Sequence, residues 1–192
     1  MSNVDFPGAQ TLVTAIDEAV ADRSGKALGE ALRRALCGLM HAQCVRLPEC
    51  IFESNPDHYA RRELYHSARH GYCVIAMTWG PGQGTPVHDH AGHWCVEGIW
   101  HGELEITPYE LIESHGDRFR FEPRGTLAAG TGSAGSLIPP HDYHVICNPS
   151  RDRAAVSLHV YGAPMTECSV FNPEADGWYT REVRHLSLDA LN

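Results

Sequence analysis

The amino-acid sequence predicts a mainly β domain, an antiparallel barrel or jelly roll, entered through two short N-terminal helices. Three observations predict it. Helical spacing of apolar residues is confined to the first forty positions. From about Val45 onward the chain turns into short apolar or alternating stretches cut by Gly, Pro, Asn and Asp. Its 18 Gly and 12 Pro exceed their usual combined share of about 12%, as a turn-rich β body requires. At 192 residues, without a repeat or a low-complexity linker, the chain reads as one domain over 1–192, with a helical cap over 1–44 and the barrel over 45–192.

In the cap, Leu12, Ile16 and Val20 recur four apart, and Leu28, Leu32, Leu36 and Leu39 form a second stripe after Ser24, the expected N-cap. Such stripes dock a helix onto a core and carry no chemistry. The expected strands are Tyr72 to Trp79, His93 to Trp100, Glu103 to Glu113, Arg118 to Glu122, Gly135 to Ile138, Tyr143 to Cys147 and Ala154 to Tyr161.

Composition narrows the function. Fifteen basic against 24 acidic residues leave a net charge of −9, a poor match for nucleic acid or an anionic lipid surface; a small molecule is the better partner. The seven cysteines are odd in number and contain no Cys-x-x-Cys pair, which argues against a zinc ribbon, a redox pair or a full disulfide framework. With no signal-like N-terminus and no long apolar run, a reducing, cytoplasmic location is expected. The 13 histidines beside these thiols raise the question of which are ligands.

The answer starts in Trp79-Gly-Pro-Gly-Gln-Gly-Thr-Pro-Val-His88-Asp-His90, a Gly/Pro-rich turn running into His-x-His. Residues two apart on a strand share a face, so His88 and His90 can offer two imidazoles to one ion. A distal segment, Pro139-Pro140-His141-Asp142-Tyr143-His144, supplies a third on a strand entered from a rigid turn, and Asn148 four residues on can fix the local backbone. Together these resemble the two cupin motifs. Gly82, His88, His90 and Gly102 fall in register with the first, with Cys95 at its Glu position. Pro139, His144 and Asn148 fit the second, with His141 in place of its inner Gly.

Loss of the Glu leaves three neutral imidazoles, so a divalent ion keeps its full charge and several open positions, which suits an anionic thiolate ligand. His93 and His141 are reserve ligands, and His41, His58, His66, His70, His101, His115 and His185 read as surface or packing residues.

At this point the chain is similar to the cysteine dioxygenase family, iron cupins that oxidise a thiol to a sulfinate with both atoms of O2. The resemblance runs from about Tyr59 to Phe171. It rests on His-Asp-His followed five residues on by Cys95, on Ser157-Leu-His159-Val-Tyr161, and on Cys168 as a pocket-lining residue. His159 and Tyr161 share one strand face while Val156, Leu158 and Val160 take the other. The resemblance implies Fe(II) on His88, His90 and His144, Tyr161 oriented by His159 beside the substrate, and a Cys95–Tyr161 thioether crosslink.

Tyr59-Ala-Arg61-Arg62 resembles the family's Tyr-x-Arg stretch, whose Arg pairs with the substrate carboxylate. Adjacent strand residues face opposite ways, so one of Arg61 and Arg62 enters the pocket: Arg61 if the Tyr-x-Arg spacing holds, Arg62 if the count runs back from Trp79. The other is then a solvated surface charge. The expected substrates are L-cysteine and O2, on a monomer. The alternatives are another small thiol carboxylate, 3-mercaptopropionate or mercaptosuccinate, or a non-catalytic metal-binding cupin module.

Overall fold

The computed structural model describes residues 5–140 and 142–191. Two helices open the chain, α1 (Ala9–Val20) and α2 (Gly25–Ala42). Ser24 occupies the N-cap of α2 in an extended conformation, but its hydroxyl makes no capping bond there, so the expected cap is one of backbone geometry only. No helix among the described residues is long and apolar enough to cross a membrane.

Among the described residues twelve strands follow: β1 (Ala60–His66), β2 (Cys73–Trp79), β3 (Val87–His88), β4 (Cys95–His101), β5 (Glu103–His115), β6 (Arg118–Pro123), β7 (Leu127–Gly130), β8 (Ala134–Leu137), β9 (His144–Cys147), β10 (Ala155–Tyr161), β11 (Glu167–Pro173) and β12 (Trp178–His185). They form two antiparallel sheets, a five-stranded one in the order β1-β2-β10-β4-β8 and a seven-stranded one in the order β6-β12-β11-β3-β9-β5-β7. The fold is a cupin jelly roll, as the sequence predicts. All seven expected strands are present within two residues at either end. The structure adds β1, β3, β7, β11 and β12, which lack the apolar runs that mark the others; β12 is largely solvent-facing and β3 is only two residues long.

Parity on β10 organises the molecule. Val156, Leu158 and Val160 point out of the five-stranded sheet into a core completed by Leu12, Ile16, Leu28, Leu32, Leu36 and Leu39 of the two helices. Each such side chain contributes roughly 1.5–3 kcal/mol by leaving water. The alternate residues Ser157, His159 and Tyr161 point inward and are buried. The inward face also carries Ile75, Met77 and Trp79 of β2 and Cys95 and Ile99 of β4. A glycine is required at the β4–β5 turn: Gly102 has φ +76°, and a Cβ there would sit 3.1 Å from the Ala155 backbone.

The segment after β12 returns along β1 as a strap. Asp189 takes the Arg61 backbone N–H on its carboxylate at 2.8 Å, and its own N–H donates to the Arg61 carbonyl at 2.7 Å.

Candidate metal centre

His88 on β3 and His144 on β9 are directly opposed across an antiparallel pair, and His90 follows two residues after His88. The loop that delivers β3 is anchored by Asn148, whose Nδ2 lies 2.8 to 3.1 Å from the carbonyls of Trp79, Gly80 and Arg153. The three rings come together with centroids 4.4 Å (His88–His144), 5.0 Å (His90–His144) and 5.3 Å (His88–His90) apart. One nitrogen from each ring falls in a cluster with all atoms within 4.8 Å of one another.

What the Nδ1 atoms do decides whether this is a metal site. His88 Nδ1 donates to the Pro86 carbonyl at 3.2 Å, and His144 Nδ1 to the Asp142 carbonyl at 3.2 Å. His90 Nδ1 donates to the Asp142 carboxylate at 3.3 Å. With the proton held on Nδ1 in each ring, all three Nε2 lone pairs are free to coordinate, and partners of this kind fix the tautomer of ligating histidines. The Nε2 of His144 is buried with no hydrogen-bond partner among the described residues, which an ion bound to it would remedy. Burial, reinforced by the neighbouring imidazoles, holds His88 down to about 3 and His144 well below its ordinary value, so both rings are neutral, the form in which an imidazole nitrogen can coordinate a metal. This donor set fits a divalent transition metal.

A cavity of about 30 Å³ adjoins the cluster. Tyr59, Arg61, His88, His90, His159, Tyr161 and Cys168 all line it, so the structure gathers most of the residues singled out from sequence. Cys95 stands behind them, directly opposite Tyr161 across β4 and β10. Its thiol is pushed well above the usual range by burial and then by Glu97. Tyr161 Oη is 3.3 Å from His159 Nδ1, and Ser157 Oγ is 2.8 Å from His159 Nε2. Ser157 in turn accepts the Trp79 indole N–H at 2.9 Å. Tyr59 stacks on Trp79 with centroids 4.6 Å apart.

The two arginines separate by parity. Arg61 pairs with Met77, a cavity residue; it is 5% exposed, and its guanidinium is tied to the carbonyls of Ser187 at 3.0 Å and Met165 at 3.3 Å. Arg62 faces the other way and does not enter the cavity. It is not the solvated charge expected of it either, being 8% exposed and bonded to Thr78 Oγ1, Glu53 O and Ala190 O, where it ties the strap and the segment before β1 to the sheet. His93 does not join the His88–His90–His144 cluster, and His141 lies outside the described residues.

Two participants were not singled out from sequence. Asp142 orients His90 through both the backbone N–H, at 3.2 Å, and the ring; only its place two residues before His144 hinted at it. Glu97, buried on β4, shares the inward parity of Cys95, a signal that alternation alone could have exposed.

Three convergent imidazoles inside a jelly roll give this cupin a candidate metal site. The chain belongs to the cysteine dioxygenase type I family, whose model matches residues 50–174. Curated relatives include cysteine dioxygenase type 1 of Danio rerio, 24% identical over 131 residues that cover 63% of this chain and 65% of that protein. The Rattus norvegicus protein of the same name is 25% identical, with 63% and 64% covered. The match thus spans a little under two thirds of these relatives' own length. Among solved structures, TT1209 from Thermus thermophilus aligns with TM-score 0.46 and 21% identity over 62% of this chain and 95% of that one. Oxalate oxidase in complex with glycolate aligns with TM-score 0.44 and 18% identity over 57% and 53%.

Proposed function

We propose that this protein is an iron-dependent thiol dioxygenase that oxidises L-cysteine to cysteine sulfinate. The observation that carries the reading is the set of three imidazoles with every Nδ1 engaged and Nε2 free, two of which, His88 and His90, line a cavity together with Tyr161 and Arg61. His88, His90 and His144 would hold Fe(II), which supplies redox chemistry toward O2 and acidifies a bound thiol. The overall reaction balances without a reductant: the thiol loses four electrons, O2 gains four, and both oxygen atoms end on sulfur.

The chain's own residues then position the reactants. Arg61, its guanidinium plane held by two carbonyls, offers its remaining donors to the substrate carboxylate. Tyr161, oriented by His159, places a hydroxyl at the cavity wall, where it can hydrogen-bond a reacting oxygen or sulfur atom. The opposed Cys95 and Tyr161 support a thioether between them, formed with loss of two hydrogens to O2; an intact mass about 2 Da lower after turnover would report it.

The test is thiol-dependent O2 uptake by iron-loaded protein, with product mass. Uptake with a gain of two oxygen atoms is expected for the wild type, and neither uptake nor retained iron for His144→Ala. Iron-loaded wild type that consumes no O2 with any small thiol would leave a metal-binding module as the reading.

A second substrate reading rests on the cavity mouth. An outer vestibule of about 220 Å³ shares Tyr59, Arg61 and Leu186 with the inner cavity and adds Arg184. Arg184 is the cross-strand partner of Cys168, so both point to the same side. It has no carboxylate partner among the described residues. A thiol with a second carboxylate, such as mercaptosuccinate, could engage both guanidinium groups. Preference for it over cysteine that disappears in Arg184→Ala would establish this reading.

A further inference from the structure

Glu97 is a buried carboxyl group for which the reaction proposed above has no task. It is 3% exposed, and its Oε2 has no hydrogen-bond partner among the described residues. An unpaired carboxylate inside a core is unfavourable and calls for a reason. Its surroundings are specific. Strand register sets Glu97 directly opposite His159, as it sets Cys95 opposite Tyr161, so β4 presents one partner to each member of the His159–Tyr161 pair. Glu97 Oε2 lies 3.6 Å from His159 Nδ1, just outside hydrogen-bond distance. The same nitrogen is 3.3 Å from Tyr161 Oη and 3.8 Å from Cys95 Sγ. On its other side, β8 sets Gly135 opposite Glu97 and brings no charge.

His159 is neutral, because burial, with the nearby imidazoles of His90 and His88 and the Arg61 charge, holds it well below its ordinary value. A neutral imidazole carries one N–H, and the position of that proton sets the direction of its neighbours' protons. With the proton on Nδ1, Nε2 accepts the Ser157 hydroxyl, and Nδ1–H points between the Glu97 carboxylate and the Tyr161 oxygen. Tyr161 is then an acceptor on that side, and its own proton turns into the cavity. With the proton on Nε2, the bare Nδ1 draws in the Tyr161 proton and turns it away from the cavity. Ionised Glu97 disfavours the second arrangement, since a carboxylate would face a nitrogen lone pair.

We infer that Glu97 is a positioning residue that selects the Nδ1-protonated tautomer of His159 and thereby turns the Tyr161 hydroxyl proton toward the substrate. The kinetic consequence rests on the proposed thiol oxidation, but the tautomer does not. Burial raises the Glu97 carboxyl to about 7, so the selection engages as pH rises through neutrality. The titratable groups facing it are His159 and Tyr161 from β10 and Cys95 from its own strand; the two phenol and thiol groups are held protonated by burial in that range.

The direct test is nitrogen-15 NMR of the histidine rings in the metal-free full chain, with His159 assigned by its absence in His159→Asn. The wild type at pH 8.5 should show the Nδ1–H tautomer, giving way to Nε2–H below about pH 6. Glu97→Leu should show Nε2–H at both values. The same tautomer in both proteins at pH 8.5 overturns the inference. Should the Leu variant fail to fold, an Nδ1–H signal that is absent, or unchanged from pH 6 to 8.5, in the wild type overturns it equally. In the iron-loaded protein, Glu97→Leu should lower kcat about tenfold at pH 8.5 with KM for the thiol unchanged and the pH profile flattened. Absence of turnover in the wild type would count against the proposed reaction and leave the tautomer result standing.

Discussion

Replacing Glu97 by Gln removes a carboxyl group whose ionisation the fold opposes, and the pH dependence of stability should reveal it. Burial raises this carboxyl from its ordinary 4.5 to about 7. The folded state therefore binds the proton more tightly than the unfolded one. Its contribution to stability is complete below about pH 4.5 and is lost as pH rises through about 7. A displacement of about 2.5 pH units at 1.36 kcal/mol each corresponds to about 3.4 kcal/mol at high pH. About 1.4 kcal/mol of that is already lost at pH 5.5, because the unfolded carboxyl is ionised there, so roughly 2 kcal/mol remains to be lost between pH 5.5 and 8.5.

The assay is urea unfolding of metal-free wild type and Glu97→Gln at those two pH values, read as a double difference. Contributions from the buried histidines are common to both proteins and cancel. The variant should gain roughly 2 kcal/mol on the wild type between pH 5.5 and 8.5. Curves that shift in parallel, with a double difference under about 0.5 kcal/mol, would refute the claim that Glu97 is a buried, proton-retaining carboxyl.

Other perturbations separate binding from folding. Arg61→Ala should raise KM for a carboxylate-bearing thiol about 10- to 100-fold, the range for one charged hydrogen-bonded pair, while Arg62→Ala should mainly lower the unfolding midpoint and, by loosening the strap that holds Arg61, raise KM less than Arg61→Ala does; steady-state kinetics beside thermal melts distinguish the two. Asp142→Asn keeps the shape of the group that orients His90 but removes its charge, and should weaken metal retention about 10- to 100-fold, measured by competition with a chelator.

The parts of this protein most legible in its sequence are those whose chemistry repeats at a fixed spacing. The stripes through Leu12 and Leu28 mark helices because burial on one side imposes a helical period. His88 and His90 are legible because the His-x-His spacing suggests two side chains on one side of an extended chain, although β3 itself ends at His88. Illegible residues owe their roles to contacts between distant segments. Arg62 reads as a surface charge until the strap and the Glu53 carbonyl are seen to cover it. Asp142 looks like a turn residue until its carboxylate is found on His90. β12 offers only polar alternation, because its exposed residues answer to solvent and its pairing is set by β11 and β6.

The division between these two kinds of residue also divides the site. The residues lining the inner cavity, except Leu186, fall within the segment matched by the family model. The outer wall is built from Arg184, Leu186, Ser187 and Asp189, all beyond residue 174. That wall is not passive toward the inner site. The Ser187 carbonyl holds one arm of the Arg61 guanidinium, and Asp189 clamps the Arg61 backbone from both its carboxylate and its N–H. A change in the strap would therefore move the Arg61 guanidinium without touching His88, His90 or His144. If Arg61 binds the substrate carboxylate as proposed, substitutions in the strap should alter substrate preference while leaving metal retention unchanged.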